Sequence, residues 1–119
     1  MTELEHALIG LRQALEVPRR YRTWRRLVRH RMASVQAALS TDWVRGGDAW
    51  LTAREAGLLR ERDVLVQRLS TLGRSVLDTP DIERLRVELG RLLGDLEHHR
   101  QRINDLVYDS VGLELGGSD

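Results

Sequence analysis

The sequence predicts an all-α protein: an elongated antiparallel three-helix bundle with a short N-terminal helix as a fourth element. Apolar residues recur at steps of three and four along most of the chain, the spacing that places them on one face of an α-helix. The only two prolines, Pro18 and Pro80, fall at breaks in this pattern. No segment alternates between apolar and polar residues, so no sheet is expected.

Pro18 separates the first two predicted helices. Thr2 and Glu5 have the spacing of a capping box, which with the leucines that follow predicts a helix over about residues 3–16. The second helix is predicted over residues 19–40. Its apolar stripe consists of Tyr21, Trp24, Val28, Met32, Val35 and Leu39.

A long helical hairpin, 49–77 and 80–108, is predicted for the rest of the bundle. Thr79 is expected to cap its second arm, with Pro80 at the first helical position. The link of about three residues requires the two arms to be antiparallel. The second arm has a heptad seam of coiled-coil type. The seam consists of Ile82, Leu85, Leu89, Leu92, Leu96, His99, Ile103 and Leu106.

Residues 1–109 are therefore expected to form one helical-bundle domain, and residues 110–119 a flexible C-terminal tail. The tail has no apolar period and contains two adjacent glycines.

Composition limits the functional classes. The 119 residues hold 19 basic and 18 acidic side chains and no cysteine, which excludes disulfides and thiol chemistry. Every basic residue is arginine, which we attribute to a GC-rich bacterial genome. The N-terminus does not resemble a signal peptide, and the apolar runs are too short to span a membrane. We expect a cytoplasmic protein with no cofactor.

One stretch, residues 19–32, has seven arginines: Arg19, Arg20, Arg22, Arg25, Arg26, Arg29 and Arg31. They could bind nucleic acid or an acidic partner, or they could be the solvated side of a helix. The interpretations differ in where Trp24 lies. Base stacking needs it exposed, whereas the apolar stripe predicts that it faces the core.

The charge distribution leaves these alternatives open. Residues 1–41 hold eight arginines against three acids, and the remaining residues hold eleven against fifteen. Acids of the last helix, at Asp81, Glu88 and Asp95, could neutralise the arginines of the second helix within the same chain.

Polar residues interrupt the hairpin seam. Glu55, Arg62 and His99 are expected in neighbouring layers, where they would form a buried polar layer that fixes the register of the hairpin. The nearest approach to a metal-ligand set is Asp95, His98 and His99. Carboxylate di-metal bundles use two acid-x-x-His motifs and further inward carboxylates, so we predict no metal site here.

No catalytic constellation is present, and no small-molecule substrate is evident. Our first hypothesis is a non-enzymatic bundle that binds another protein or itself, as an adaptor or a homodimer. A homodimer would use apolar positions such as Leu59, Val66, Leu93 and Val107. The alternative is a nucleic-acid-associated protein using the arginines of 19–32. A third is a metal-binding bundle using Glu55, Asp95, His98 and His99.

Overall fold

The computed structural model describes the backbone of residues 2–16, 21–41 and 49–116, and the side chains of residues 2–16, 22–40 and 53–109. Its four helices are α1 (Glu3–Glu16), α2 (Tyr21–Thr41), α3 (Ala49–Val76) and α4 (Ile82–Gly116). The prediction of an all-α helical bundle is confirmed. Arg19 and Arg20 lie outside the described residues.

Helix α1 is a full member of the bundle. It lies against both α2 and α4, while α3 lies against α2 and α4 on the opposite side. The side chains of Leu4, Leu8 and Leu11 are each at most 3% exposed to solvent. The backbone N–H of Glu5 donates to the Thr2 hydroxyl at 3.1 Å, as the capping-box spacing predicts. The four helices therefore form a ring, rather than three with an accessory fourth.

Helices α3 and α4 form the predicted antiparallel hairpin, but the cap of α4 differs from the prediction. Oδ1 of Asp81 accepts the backbone N–H of Arg84 at 3.1 Å, so Asp81 is the N-cap. The backbone N–H of Thr79 instead bonds the Ser75 carbonyl at 2.9 Å within the turn. Pro80 therefore precedes the helix and is not its first residue.

Helix α4 also continues past its predicted end near residue 108 and includes residues 110–116. No proline and no paired glycines occur before Gly116, so no local signal ends the helix earlier. The flexibility expected of residues 110–119 is not tested by this backbone, and residues 117–119 lie outside the described part.

The core runs along the axis of a bundle that measures 59 × 23 × 20 Å. All seam residues of α4 are buried except Ile82, which is half-buried. The stripe of α2 is buried at Trp24, Val28, Met32, Val35 and Leu39. Within the described ranges, no helix combines the length and the apolar character needed to cross a bilayer.

The apolar positions expected to support a homodimer are mostly covered within the chain. Leu93 is 7% exposed, and Leu59, Val66 and Val107 are half-buried. Leu93 belongs to the core because α1 occupies the side of α4 that the three-helix arrangement leaves open.

Candidate functional site

Trp24 faces the core, as its position in the apolar stripe predicts. It is 1% exposed, and its indole Nε1 donates to the carbonyl of Ala14 at 3.0 Å. The guanidinium of Arg86 lies over the ring, 5.0 Å from its centroid, in a cation–π contact. The tryptophan of the arginine stretch is therefore a packing residue that joins α2 to α1 and α4, and it cannot stack on a base.

Two of the arginines, Arg25 and Arg29, bind the C-terminus of α3. Arg25 donates to the carbonyls of Val76, at 2.7 Å, and Thr79. Arg29 donates to the carbonyl of Gly73 at 2.6 Å. Carbonyls in the last turn of a helix have no intrahelical donor and carry the negative end of the helix dipole. These two guanidinium groups therefore stabilise the end of α3.

A third arginine, Arg31, packs against α1. Its Cδ lies 3.4 Å from the position that a Cβ at Gly10 would occupy. The arginine stem thus covers the backbone of α1, a typical use of its methylene groups.

The remaining charge lies on the outer side of α2. Arg22, Arg26 and His30 are exposed and follow one another at intervals of four residues, about 6 Å apart along the axis. Arg29 flanks them, and the exposed Arg74 of α3 lies with Arg29 along a groove between α2 and α3. We call the four arginines Arg22, Arg26, Arg29 and Arg74, together with the neighbouring His30, the cationic face.

No acid neutralises this face in the part of the chain that the structure describes. None of its residues forms an ion pair there, and α2 itself contains no aspartate or glutamate. Arg25 and Arg29 are bound by neutral carbonyls, which leaves their charge in place. The exposed arginines at the N-terminal half of α2 therefore create a field that can attract an anionic group.

The acids of α4 that were expected to meet α2 contact other residues. Asp95 binds Arg68 of α3 at 2.7 Å, and Glu88 binds Arg84 of α4 at 3.3 Å. Asp81 caps α4. The structure therefore contradicts neutralisation of α2 by these three acids, because α4 lies diagonally across the bundle from α2.

A groove of about 250 Å³ runs between α2 and α3 beside the cationic face. Its floor is formed by Met32 and Leu69, each 2% exposed. The small side chains of Ala33 and Ser70 lie along its length. Arg29 and Arg74 line the end nearer to the hairpin turn.

A larger groove of about 540 Å³ lies between α3 and α4. It is lined by the exposed Val64 and Thr71 and by charges of both signs, among them Arg68, Glu88 and Arg91. Arg68 and Glu88 are each in an ion pair, which leaves Arg91 as the one charge of this lining without an ion pair in the described residues, against four arginines on the cationic face.

The seam histidine has a partner that sequence reasoning missed. His99 is 0% exposed, and its Nδ1 lies 2.7 Å from Oε1 of Glu61 on α3. Arg102 donates to the other oxygen of Glu61. Since an ionised carboxylate can only accept, Nδ1 of His99 is the donor in this pair. Nε2 is buried with no hydrogen-bond partner in the described part.

The other members of the predicted polar layer lie on either side of Glu61. Glu55 and Arg62 are half-buried and each has an interaction of its own; Arg62 Nη2 also lies 3.6 Å from Oδ1 of Asp63. The predicted hairpin places Glu55, Arg62 and His99 in neighbouring layers, and the observed partner of His99, Glu61, immediately precedes Arg62 in the sequence.

The nearest approach to a metal-ligand set does not converge. Asp95 is engaged by Arg68, His98 is exposed, and His99 is buried against Glu61. Among the described residues, no group of three or more potential ligands is close enough to hold a metal ion.

Comparison of the chain with protein-family models, with curated proteins and with solved structures finds no match.

Proposed function

We propose that this protein is a non-enzymatic interaction module whose cationic face binds an acidic segment of a partner protein. One observation carries the proposal: Arg22, Arg26 and His30 form an exposed row beside Arg74 with no acid paired to them in the described residues. Uncompensated charge on a rigid helix favours association with a surface of opposite charge.

An acidic protein fits this face better than nucleic acid does. The row from Arg22 to His30 spans about 12 Å, at 1.5 Å per residue. Even a single DNA-binding module buries about 600–1,000 Å² and contacts several phosphates. Binding of single strands also relies on exposed aromatic side chains, and Trp24 is buried.

The test compares two variants with the same change in net charge. Arg22→Glu/Arg26→Glu reverses the row, and Arg60→Glu/Arg91→Glu reverses two exposed arginines on α3 and α4 that form no ion pair in the described residues. Each tagged protein is used to capture partners from a nuclease-treated lysate of the source cell, followed by mass spectrometry and recombinant production of the protein captured.

We expect the purified partner to bind the wild type and the Arg60→Glu/Arg91→Glu control equally, and to bind Arg22→Glu/Arg26→Glu at least tenfold more weakly. Equal binding of all three proteins would contradict the proposal. The proposal would also be contradicted by duplex-DNA binding that is saturable at physiological salt, weakens steeply as salt is raised and is abolished by Arg22→Glu/Arg26→Glu. A steep loss of DNA affinity with salt is the signature of phosphate contacts.

A further inference from the structure

We propose that the acidic segment docks as an α-helix in the groove between α2 and α3. This inference rests on the proposed function and names the shape of the partner that the cationic face receives. Arg29 bonds Gly73 and Gln36 bonds Ser70, so α2 and α3 run antiparallel and the groove between them follows their axes. A helix laid into such a groove is a common mode of peptide recognition.

The size of the lining side chains allows a helix to approach closely. Ala33 and Ser70 are exposed and stand on opposite sides of the groove, and Ala37 lies one turn beyond Ala33 on the exposed side of α2. Small residues let helix axes approach to the lower end of the usual 8–10 Å range. The floor offers little apolar area because Met32 and Leu69 are almost fully covered, so charge supplies much of the selectivity.

The charges of the groove are confined to one end. Arg29 and Arg74 line the end toward the hairpin turn, with the exposed Arg26 nearby on the outer side of α2, whereas Ala33, Gln36 and Ser70 line an uncharged half. The complementary helix therefore has two halves. One half carries acids four residues apart, which matches the spacing of Arg22, Arg26 and His30, and the other half presents small residues such as alanine.

The groove between α3 and α4 is larger, but it does not select such a helix. Its lining mixes Arg68 and Arg91 with Glu88, and an acidic helix would meet like charge as well as opposite charge there. Charge complementarity therefore assigns the acidic helix to the smaller groove.

The test separates the contribution of the groove's shape to binding from the contribution of its charge. Ala33→Trp fills the groove between α2 and α3 without changing the charge, and Thr71→Trp places the same bulk in the groove between α3 and α4. Both positions are exposed, so the substitutions are expected to leave the fold intact, which circular dichroism checks.

The probe is a fluorescently labelled synthetic peptide of about 20 residues, long enough to be partly helical in water. It has glutamates at every fourth position in one half and alanines on the same face in the other half. Fluorescence anisotropy at low ionic strength measures its affinity. A second peptide of the same composition with two central residues replaced by proline cannot form the helix.

We expect Ala33→Trp and Arg22→Glu/Arg26→Glu each to weaken binding of the helical peptide by about tenfold or more, because each removes a part of the site that a helix needs. Thr71→Trp and Arg60→Glu/Arg91→Glu should bind like the wild type, and the proline peptide should bind more weakly than the helical one.

Two other outcomes have distinct meanings. If Arg22→Glu/Arg26→Glu weakens binding while Ala33→Trp or proline in the peptide has no effect, the groove inference is wrong and the proposed function stands. If neither variant weakens binding of the peptide or of the captured partner, both proposals are wrong.

Discussion

The indole Nε1 of Trp24 donates to the carbonyl of Ala14, two residues before the end of α1. This carbonyl is among the last four of its helix and has no intrahelical donor. A side chain from the middle of an arginine-rich stretch thus completes the end of a neighbouring helix, and it does so from a position that is 1% exposed. The contact explains why the aromatic residue and the arginines around it have separate roles.

Replacing Trp24 should reduce stability in two steps. Trp24→Phe removes the donor and leaves the Ala14 carbonyl unpaired, at a cost of about 1–3 kcal/mol. Trp24→Ala also opens a cavity and should cost about 3–5 kcal/mol. Urea denaturation monitored by circular dichroism measures both changes. Val64→Ala, at a side chain that is 56% exposed, is the control and should stay within about 0.5 kcal/mol of the wild type. Equal stability of Trp24→Ala and the wild type would contradict the inward orientation.

The arginines of α2 should differ in their contribution to stability. Arg25→Met and Arg29→Met each remove donors to the carbonyls at the end of α3, and each should lower the free energy of unfolding by about 1–2 kcal/mol. Arg22→Met removes an exposed charge without such a contact and should change it by less than about 0.5 kcal/mol. Thermal and urea unfolding of the three variants check this order. Identical losses for all three would show that the carbonyl contacts contribute nothing specific.

The buried pair of His99 and Glu61 should tolerate an apolar replacement better than the loss of one partner. His99→Leu keeps volume, removes the unpaired Nε2, and leaves Glu61 with Arg102, so its stability should lie within about 1 kcal/mol of the wild type or above it. His99→Ala should cost about 2–4 kcal/mol because it leaves a cavity.

Glu61→Leu should cost about 1–3 kcal/mol, since the Nδ1–H of His99 then lacks its acceptor. The double variant His99→Leu/Glu61→Leu should be more stable than Glu61→Leu alone, because the unpaired donor is gone. Urea unfolding of the four proteins completes the cycle. Additive effects of the two leucine substitutions would show that the pair is not coupled.

The full membership of α1 in the bundle predicts large effects of substitutions in its buried face. Leu11 is 0% exposed, and Leu11→Ala should cost about 3–5 kcal/mol in global unfolding. Ile9→Ala, at a side chain that is 44% exposed, should cost less than about 1 kcal/mol. If α1 were only an accessory helix, Leu11→Ala would loosen α1 with little change in the global transition. Hydrogen exchange of the α2 and α4 amides would distinguish the two cases.

Local features of the sequence are enough to predict the four helices, the antiparallel hairpin and the inward side of α2, although not the cap or the end of α4. These depend on features that are local in the chain: apolar residues at steps of three and four, the capping spacing of Thr2 and Glu5, and a link too short for any other orientation. The burial of Trp24 follows from its place in the stripe. The seam of α4 likewise predicts which of its residues are buried, including His99.

Which distant groups come into contact depends on the packing of the helices and cannot be derived from the local pattern. Arg25 donates to the carbonyl of Val76, 51 residues further along the chain. His99 pairs with Glu61, whereas the sequence analysis expected Glu55 and Arg62 in the layers next to it. Both outcomes depend on the rotation and axial offset of whole helices, which the packing of every core layer sets together. The position of α1 between α2 and α4 has the same origin. The apolar stripe of α1 predicts that one face of this helix is buried, but it does not predict which helices cover that face.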